Sequence, residues 1–212
     1  MRNLIRKILK EEFFQEDAKR AEALSEHVAL FVTEVSFGYE LTLFDPNSDN
    51  ILGTITFNLD ENEGPYHYVT GVAAKKGFGP FMYELAMMHI DNSGGMLMPS
   101  RDGDVRGSAW NVWKKFYERS DVDKKTIDLL DEYFRCDLIV GSPCYFESTE
   151  EKQEWWNEFS DDEKMDLLVF NTGYSMEPNN DYYQLIKNSD KYPKEVKDKV
   201  NSYASELWDE MY

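Results

Sequence analysis

Cysteine is scarce in this chain, which has only Cys136 and Cys144 among its 212 residues. Two cysteines are too few for the disulfide framework of a small secreted domain, and they lack the paired spacing of a zinc site. No run approaches the roughly 20 apolar residues of a membrane-spanning helix. The basic first residues are not followed by an apolar segment of signal-peptide length. We therefore expect reduced thiols and a cytoplasmic protein.

Positive charge is also scarce, because 41 acidic residues face 23 basic ones and the net charge is -18. Such a surface repels nucleic-acid phosphate and anionic lipid, so we expect neither direct nucleic-acid binding nor membrane binding. The same field would attract an amine substrate or a basic protein. Strong negative charge also serves solubility alone, and the composition does not separate these two interpretations.

Apolar and aromatic residues are abundant, at 42% and 15% of the chain, which excludes a disordered protein. The length suits one core domain with a helical appendage. The hydrophobic pattern first predicts an amphipathic helix over residues 4–24. Alternation and β-branched residues then predict five strands, the first three joined by short turns as an antiparallel meander. These strands are predicted at residues 27–35, 39–44, 51–59, 66–73 and 96–98.

Helical spacing predicts a helix over 81–90, with Pro80 as its first helical residue, and a second over 109–119 with Ser108 as its N-cap. Beyond residue 121 the pattern indicates acidic helices. We expect a domain over residues 1–147 and an acidic helical extension over 148–212. The extension packs on that domain or docks a partner protein. The later helices are predicted at 124–134, 149–159, 161–170 and 195–212.

The most informative segment is the predicted junction between the fourth strand and the helix after it. Gly77 and Gly79 form a Gly-x-Gly turn there, with Lys75 and Lys76 directly before it. A strand that turns into a helix presents several unpaired amides to one point, which is a phosphate-binding arrangement. A tight turn that needs positive φ explains the same glycines. No Gly-x-Gly-x-x-Gly or Gly-Lys-Ser/Thr motif is present, which disfavours dinucleotide and P-loop nucleotide binding.

Two runs in this segment carry a family resemblance. The run YVTGVAAKKGFGPFMYELAM (68–87) resembles the coenzyme-binding strand, pyrophosphate loop and helix of the GNAT acyl-CoA N-acyltransferases. The run LMPSRDGDVRGSAWNVWKKFYERSDV (97–122) resembles the next strand and helix, in the form found in GNAT-like proteins of bacteriophages. The resemblance covers about residues 28–122.

The resemblance implies a mixed α and β (α+β) GNAT fold, with a largely antiparallel sheet and a splayed fourth strand that binds acetyl-CoA. Backbone groups of the strand would bind the pantetheine arm, and the loop amides and lysines would face the pyrophosphate. The cofactor-binding residues that it implies are Val72, Ala73, Ala74, Lys75, Lys76, Gly77, Phe78, Gly79, Phe81 and Asn111.

Two positions depart from the family pattern. Ala74 occupies the position where the loop usually begins with Gln or Arg. Trp113 occupies the position where the helix usually carries the tyrosine that acts as the general acid. Tyr117, one turn further on, is either the replacement acid or a tyrosine packed in an aromatic stripe that is typical of a core. The stripe comprises Trp110, Trp113, Phe116 and Tyr117.

His67 is either a general base or a buried structural histidine, and Glu40 is a candidate base acting through a water molecule. No histidine has metal-ligand residues near it in the sequence, so we expect no metal site.

Two functions remain open at this stage. The first is an acetyl-CoA-dependent N-acetyltransferase, or a degenerate relative, acting on an amine of a protein or of a small molecule such as a polyamine. The second is a non-enzymatic acidic protein of phage type, located in the host cytoplasm, that uses a GNAT fold to engage a host or virion partner.

Overall fold

A computed structural model describes residues 27–36, 38–59, 65–100, 105, 107–129, 131, 134–135, 146 and 148–211. It contains seven strands and six helices within those residues. In chain order they are β1 (Ala29–Val35), β2 (Gly38–Asp45), β3 (Asn50–Leu59), β4 (Tyr66–Ala74), α1 (Gly79–Asp91), β5 (Met96–Met98), α2 (Gly107–Glu118), β6 (Asp123–Thr126), α3 (Thr149–Asn157), α4 (Asp161–Phe170), β7 (Thr172–Ser175), α5 (Asn180–Ser189) and α6 (Lys194–Met211).

The seven strands form one sheet in the order β1-β2-β3-β4-β5-β7-β6. Strands β1 to β3 form an antiparallel meander, and β7 pairs antiparallel with both β5 and β6. Strands β4 and β5 are parallel, which requires a crossover connection, and α1 supplies it. Their register joins residues 66–68 to residues 96–98, and β4 then continues to Ala74. The fold is therefore a mixed α+β structure with a mostly antiparallel sheet.

The chain divides into two compact units. Unit 1 comprises Met1–Asn58, Thr70–His89 and Glu177–Tyr212. Apolar side chains of β1, β2 and β3 pack there against α6 around Phe31, Phe44, Val200 and Ala204. Helix α5 is tied to the start of β1, because the Asn188 side-chain amide donates to the Val28 carbonyl at 2.7 Å. Long-range side-chain contacts thus hold the C-terminal helices onto the meander.

Unit 2 comprises Leu59–Val69 and Ile90–Met176. Its core includes Tyr66, Tyr68, Met98 and Leu167. Buried Asn171 ends α4, accepts from the Arg135 amide at 2.7 Å and donates to the Arg135 and Leu167 carbonyls at 2.7 and 2.9 Å. Because all of these groups are satisfied, Asn171 fixes the segment at Arg135 to the end of the helix.

Most of the predicted elements are confirmed. All five predicted strands are present, α4 has its predicted bounds, and α1 begins two residues earlier than predicted, which makes Pro80 its second residue. The predicted helix over 124–134 is wrong, because its first residues belong to strand β6, which pairs with β7. The predicted cap is also wrong, because α2 begins at Gly107 and Ser108 lies inside it.

Strand β7 and helix α5 were not predicted, so the C-terminal stretch is not wholly helical. Neither unit has a limit at the predicted domain boundary of residue 147. The predicted N-terminal helix and the two cysteines lie outside the described residues. None of the described helices is both long enough and apolar enough to cross a membrane.

Candidate functional site

The end of β4 is fixed to β3 immediately before the lysine pair. The Lys75 amide donates to the Leu52 carbonyl at 2.9 Å. The next residue of β3, Gly53, lets the helix approach closely, because a Cβ there would lie 2.8 Å from Cγ of Met82 and 3.1 Å from Cβ of Ala74. The missing side chain of Gly53 thus allows the first turn of α1 to pack on the strand.

Lys75 to Phe78 form a tight turn between the strand and the helix. The Phe78 amide donates to the Lys75 carbonyl at 3.0 Å, and Gly77 has a φ of 92°. A positive φ at the third residue of such a turn strongly favours glycine. The turn explanation of the first glycine is therefore confirmed, and Gly77 by itself carries no evidence for a ligand.

Phe78 anchors the start of α1. Its side chain is only 1% exposed, and its carbonyl accepts from the Met82 amide at 3.0 Å as the first hydrogen bond of the helix. Because the Phe78 side chain is buried in the core, it does not cover the backbone on the outer side of the loop. Lys75 and Lys76 are exposed there, and Gly77 and Gly79 are half-buried.

Gly79 differs from Gly77 in conformation and surroundings. Its φ is not positive, and a Cβ built on it would meet no atom of the described residues within 4 Å. Neither the backbone conformation nor the packing of the described part of the chain therefore requires glycine at this first residue of α1. A residue without a side chain at a helix start does permit the close approach of an external anion.

The electrostatics of this helix start also favour an anion. Of the six described helices, α1 and α2 have no acidic residue in the first turn, whereas α3, α4, α5 and α6 each have at least one. Within the described part of the chain, the amides of Lys76, Gly77 and Gly79 donate to no backbone carbonyl. The positive end of the helix dipole, these amides and two lysine side chains therefore lie together.

The predicted pantetheine-binding residues belong to the same junction. Val72 and Ala74 are half-buried on β4, and Ala73 between them is fully buried. Unit 1 thus brings the predicted residues from Val72 to Phe81 together on one continuous strand, turn and helix start.

Other predicted residues belong to unit 2. Asn111 is exposed on α2, and Tyr117 is half-buried on the same helix, where its carbonyl accepts from Nζ of Lys124 at 3.0 Å. Trp113 is 1% exposed and packs against Tyr174 and Phe116, with ring centroids at 5.1 and 6.2 Å. The expectation that this aromatic stripe is core is confirmed for Trp113 and Phe116.

Tyr174 is a neighbour of this helix that the sequence did not indicate. Burial, with the nearby Tyr117, raises its pKa above the ordinary value of 10. Its hydroxyl donates to the Val169 carbonyl at 3.1 Å, so its proton is already engaged in a structural hydrogen bond. The short strand that carries it has no alternating pattern long enough to be recognised.

His67 is buried on β4, as expected of a structural histidine. A Cβ on Gly95 would lie 2.9 Å from its Nε2 atom, so the ring packs directly on that glycine backbone. Glu40 is half-buried on β2 in unit 1, opposite Thr33 on β1 and Thr56 on β3. Among the residues that the structure describes, no group of three or more His, Cys, Asp or Glu side chains is placed to hold a metal ion.

The chain matches no family model, no curated protein and no solved structure. The function must therefore be inferred from the residues and their geometry.

Proposed function

We propose that the junction from β4 to α1 binds the pyrophosphate of acetyl-CoA, and that the chain is a GNAT-type N-acetyltransferase or a degenerate relative. The observation that carries this proposal is Gly79. It occupies the first position of a helix that has no acid in its first turn, beside two exposed lysines, although neither its φ nor its surroundings need a glycine. Coenzyme phosphates are among the anions that such a helix start accommodates.

The remaining residues of the junction fit the same coenzyme. An extended pantetheine arm pairs with backbone groups along Val72, Ala73 and Ala74, as an added strand does. Lys75 and Lys76 supply the positive charge that Ala74, where the family usually has Gln or Arg, does not. The continuation of β4 beyond its parallel register with β5 supports the splayed fourth strand that the resemblance implies.

The chemistry follows from holding the thioester against this strand. An acceptor amine attacks the thioester carbonyl, a new amide bond forms, the carbon–sulfur bond breaks and the thiol of CoA leaves. A base accepts the amine proton and an acid protonates the thiolate. Positioning of the two reactants supplies much of the rate, so a weak acid and base suffice for slow turnover. The acid and the base stay predictions from the sequence, with Tyr117 as the candidate acid and His67 as a candidate base.

A titration calorimetry experiment tests the coenzyme site. Wild-type protein is titrated with acetyl-CoA and with desulfo-CoA, and the same titrations are made with Gly79→Trp. The matched control is Gly107→Trp, because Gly107 is also the first residue of a helix and a Cβ added there would also meet no atom within 4 Å.

We expect binding by wild type and by the Gly107 variant, and a loss of about a hundredfold or more in the Gly79 variant because the indole fills the phosphate position. Absence of heat with millimolar acetyl-CoA would contradict the proposal. Equal binding by both tryptophan variants would show that the coenzyme, if bound, does not use this helix start.

A second candidate function, binding without turnover, is favoured by Trp113. This residue occupies the position of the usual acid, and it is buried against Tyr174 as a core side chain. An indole cannot protonate a thiolate. In this second function the acidic surface binds a basic partner protein, and the fold serves as a scaffold without catalysing acetyl transfer. A thiol-release assay with acetyl-CoA and a panel of amines separates the two candidates, and Tyr117→Phe shows whether any activity depends on that phenol.

A further inference from the structure

The two edge strands of the described sheet differ in how well they are protected against further pairing. Strand β6 forms one edge, and its four residues are all exposed, with Asp123, Lys124 and Lys125 charged. Strand β1 forms the other edge, and its seven residues include one charged side chain, Glu34, and no proline. Short length, charge and proline are devices by which proteins block pairing at a sheet edge. Strand β1 therefore keeps an edge that can still pair.

The first half of β1 is covered and the second half is open. Residues 29–31 are buried, and the Asn188 side chain of α5 donates to the Val28 carbonyl directly before the strand. In the second half, Val32 is 37% exposed and Val35 is 43% exposed. The open half thus exposes apolar side chains on a strand edge.

Exposed large apolar side chains are concentrated in this region. Among the described residues they are Val32, Val35, Met165 and Tyr183. Tyr183 belongs to α5, which packs against β1. Three of the four therefore lie on the edge strand or on the helix that packs against it. Apolar surface that is gathered in one place marks an interaction site more often than scattered apolar residues do.

The pattern of exposure indicates that a strand, and not a helix, covers this edge. Successive side chains of a strand point to opposite faces, so Val32 and Val35 lie on different faces of the sheet. A helix packed on one face would cover only one of them. A strand added at the edge would cover both, and it would also pair with the backbone groups of β1 that point away from β2.

A second copy of the chain can supply such a strand, because its own β1 is extended, mainly apolar and open along the same edge. A two-fold axis perpendicular to the sheet makes the two β1 strands antiparallel and keeps each side chain on its own face. The register is then centred on a single residue. A register centred on Glu34 would place two carboxylates opposite each other, and one centred on Val32 would place Glu34 opposite the buried Leu30.

A register centred on Thr33 avoids both conflicts. Thr33 then lies opposite its own counterpart, Val35 lies opposite Phe31 of the second copy, and Val32 lies opposite Glu34 of the second copy. Threonine pairs and aromatic–β-branched pairs are favourable cross-strand neighbours. The net charge of -18 on each chain opposes association, but exposed charges more than roughly 8 Å apart are largely screened at physiological salt.

We propose that this chain forms a two-fold symmetric dimer in which β1 of one copy pairs antiparallel with β1 of the other, with Thr33 at the centre. The pairing buries Val32 and Val35 of both copies and closes the open edge of each sheet. This inference does not rest on the proposed acetyl transfer, because none of its residues belongs to the junction from β4 to α1.

A pair of opposite charges introduced at Val32 tests the register by sedimentation equilibrium. In the proposed dimer residue 32 lies opposite Glu34 of the second copy. Val32→Glu therefore creates two pairs of like charge, and Val32→Lys creates two pairs of opposite charge. The matched control is Met165→Glu, because Met165 is 43% exposed on α4, outside β1, and the variant gains the same charge.

We expect wild type, Val32→Lys and Met165→Glu to dimerise alike. Val32→Glu should weaken the dimer about tenfold or more, because two-fold symmetry makes each change count twice. A wild type that stays monomeric at millimolar concentration would overturn the proposal and leave another segment or another protein as the occupant of the edge. Equal weakening by the two Val32 variants would overturn the register, and equal weakening by the two glutamate variants would show a diffuse repulsion instead of a specific contact.

Disulfide cross-linking provides a second measurement that leaves Val32 unchanged. Single cysteines are placed at Thr33 or at Val35 after Cys136 and Cys144 have been replaced by serine. Directly opposite residues of an antiparallel pair have Cβ atoms about 4.5–5.5 Å apart, whereas the two copies of residue 35 would be roughly 13 Å apart along the strand. Oxidation should therefore link Thr33→Cys chains and not Val35→Cys chains. Equal linking of both variants, or linking of Val35→Cys alone, would overturn the proposed pairing.

Discussion

The N-termini of α1 and α4 differ in capping and in charge. A capping box satisfies backbone amides at the start of α4. The Ser160 hydroxyl accepts from the Glu163 amide at 3.3 Å, and the Glu163 carboxylate accepts from the Ser160 amide at 2.9 Å. Three acidic residues occupy its first turn. Helix α1 has no acid in its first turn and follows two lysines.

The difference shows that the two helix starts are stabilised differently. Four of the six described helices have an acid in the first turn, and α1, like α2, has none. An acid at the start of α1 would stabilise the helix but would repel an incoming phosphate. The stability of α1 must then come from its anchoring in the core. The following substitutions test whether the core stabilises α1 while its N-terminus serves to bind an anion.

The largest effect is expected at the anchor of α1. Phe78→Ala removes a fully buried ring and should lower the free energy of unfolding by about 3–5 kcal/mol. At α4 the nearest preceding aromatic residue is Phe159, which is half-buried and lies directly before the N-cap Ser160. Phe159→Ala should cost much less. Urea denaturation of both variants measures the difference, and equal losses would show that α1 does not depend on its core anchor more than α4 does.

The two glycines of the loop should respond in opposite directions. Gly77→Ala places a side chain at a φ of 92° and should cost about 1–3 kcal/mol of stability. Gly79→Ala meets no atom and should leave stability unchanged or raise it by a few tenths of a kcal/mol. Thermal and urea unfolding of both variants provide the measurement. A clear destabilisation by Gly79→Ala would reveal a structural need for that glycine and remove the main argument for the anion site.

Removing the cap of α4 should have a moderate effect. Ser160→Ala removes the hydroxyl that accepts from the Glu163 amide, keeps the backbone amide that donates to the Glu163 carboxylate, and should cost about 1 kcal/mol. Hydrogen bonds from Ser160 hold the pKa of Glu163 below its ordinary value, so the same variant should raise that pKa towards normal. Urea denaturation and NMR titration of the carboxyl group measure these two effects. The affinity for acetyl-CoA should not change, and a change would break the distinction between a capped helix start and a ligand-binding one.

The smallest effect is expected at the other end of α1. His89 lies against Tyr39 and Phe57, and its Nδ1 atom is 2.9 Å from the Tyr182 hydroxyl. Burial lowers the pKa of His89 below 6.5, and burial with Tyr183 nearby raises the pKa of Tyr182 to about 12, so the phenol stays protonated.

Because the folded pKa of His89 is lower than the unfolded one, its contribution to stability is present above pH 6.5. It is lost as the pH falls through the folded value. The loss of stability between pH 7 and pH 5 should therefore be smaller in His89→Gln than in wild type. Identical pH profiles from urea denaturation would contradict this assignment.

Much of the local structure could be predicted from the sequence. Alternation in the meander located β1 to β3 within about two residues, and the acidic first turn after Ser160 located α4. The Gly-x-Gly turn was found for the same reason, since turn residues and helix starts are set by neighbours close in the chain. Strand β6 could not be predicted, because its four exposed residues become a strand only by pairing with β7.

At the candidate site, too, some features follow from the sequence alone and others only from the tertiary structure. The sequence by itself determined that two lysines and two glycines join the fourth strand to a helix, because spacing and residue type are local facts. Only the tertiary structure showed that the turn needs Gly77 and that no described residue of the chain needs a glycine at position 79. The placement of Glu40 opposite Thr33 and Thr56 also depends on strand register, because a shift of one residue would place its side chain on the other face. Such placement is fixed by long-range pairing and packing, which no local pattern encodes.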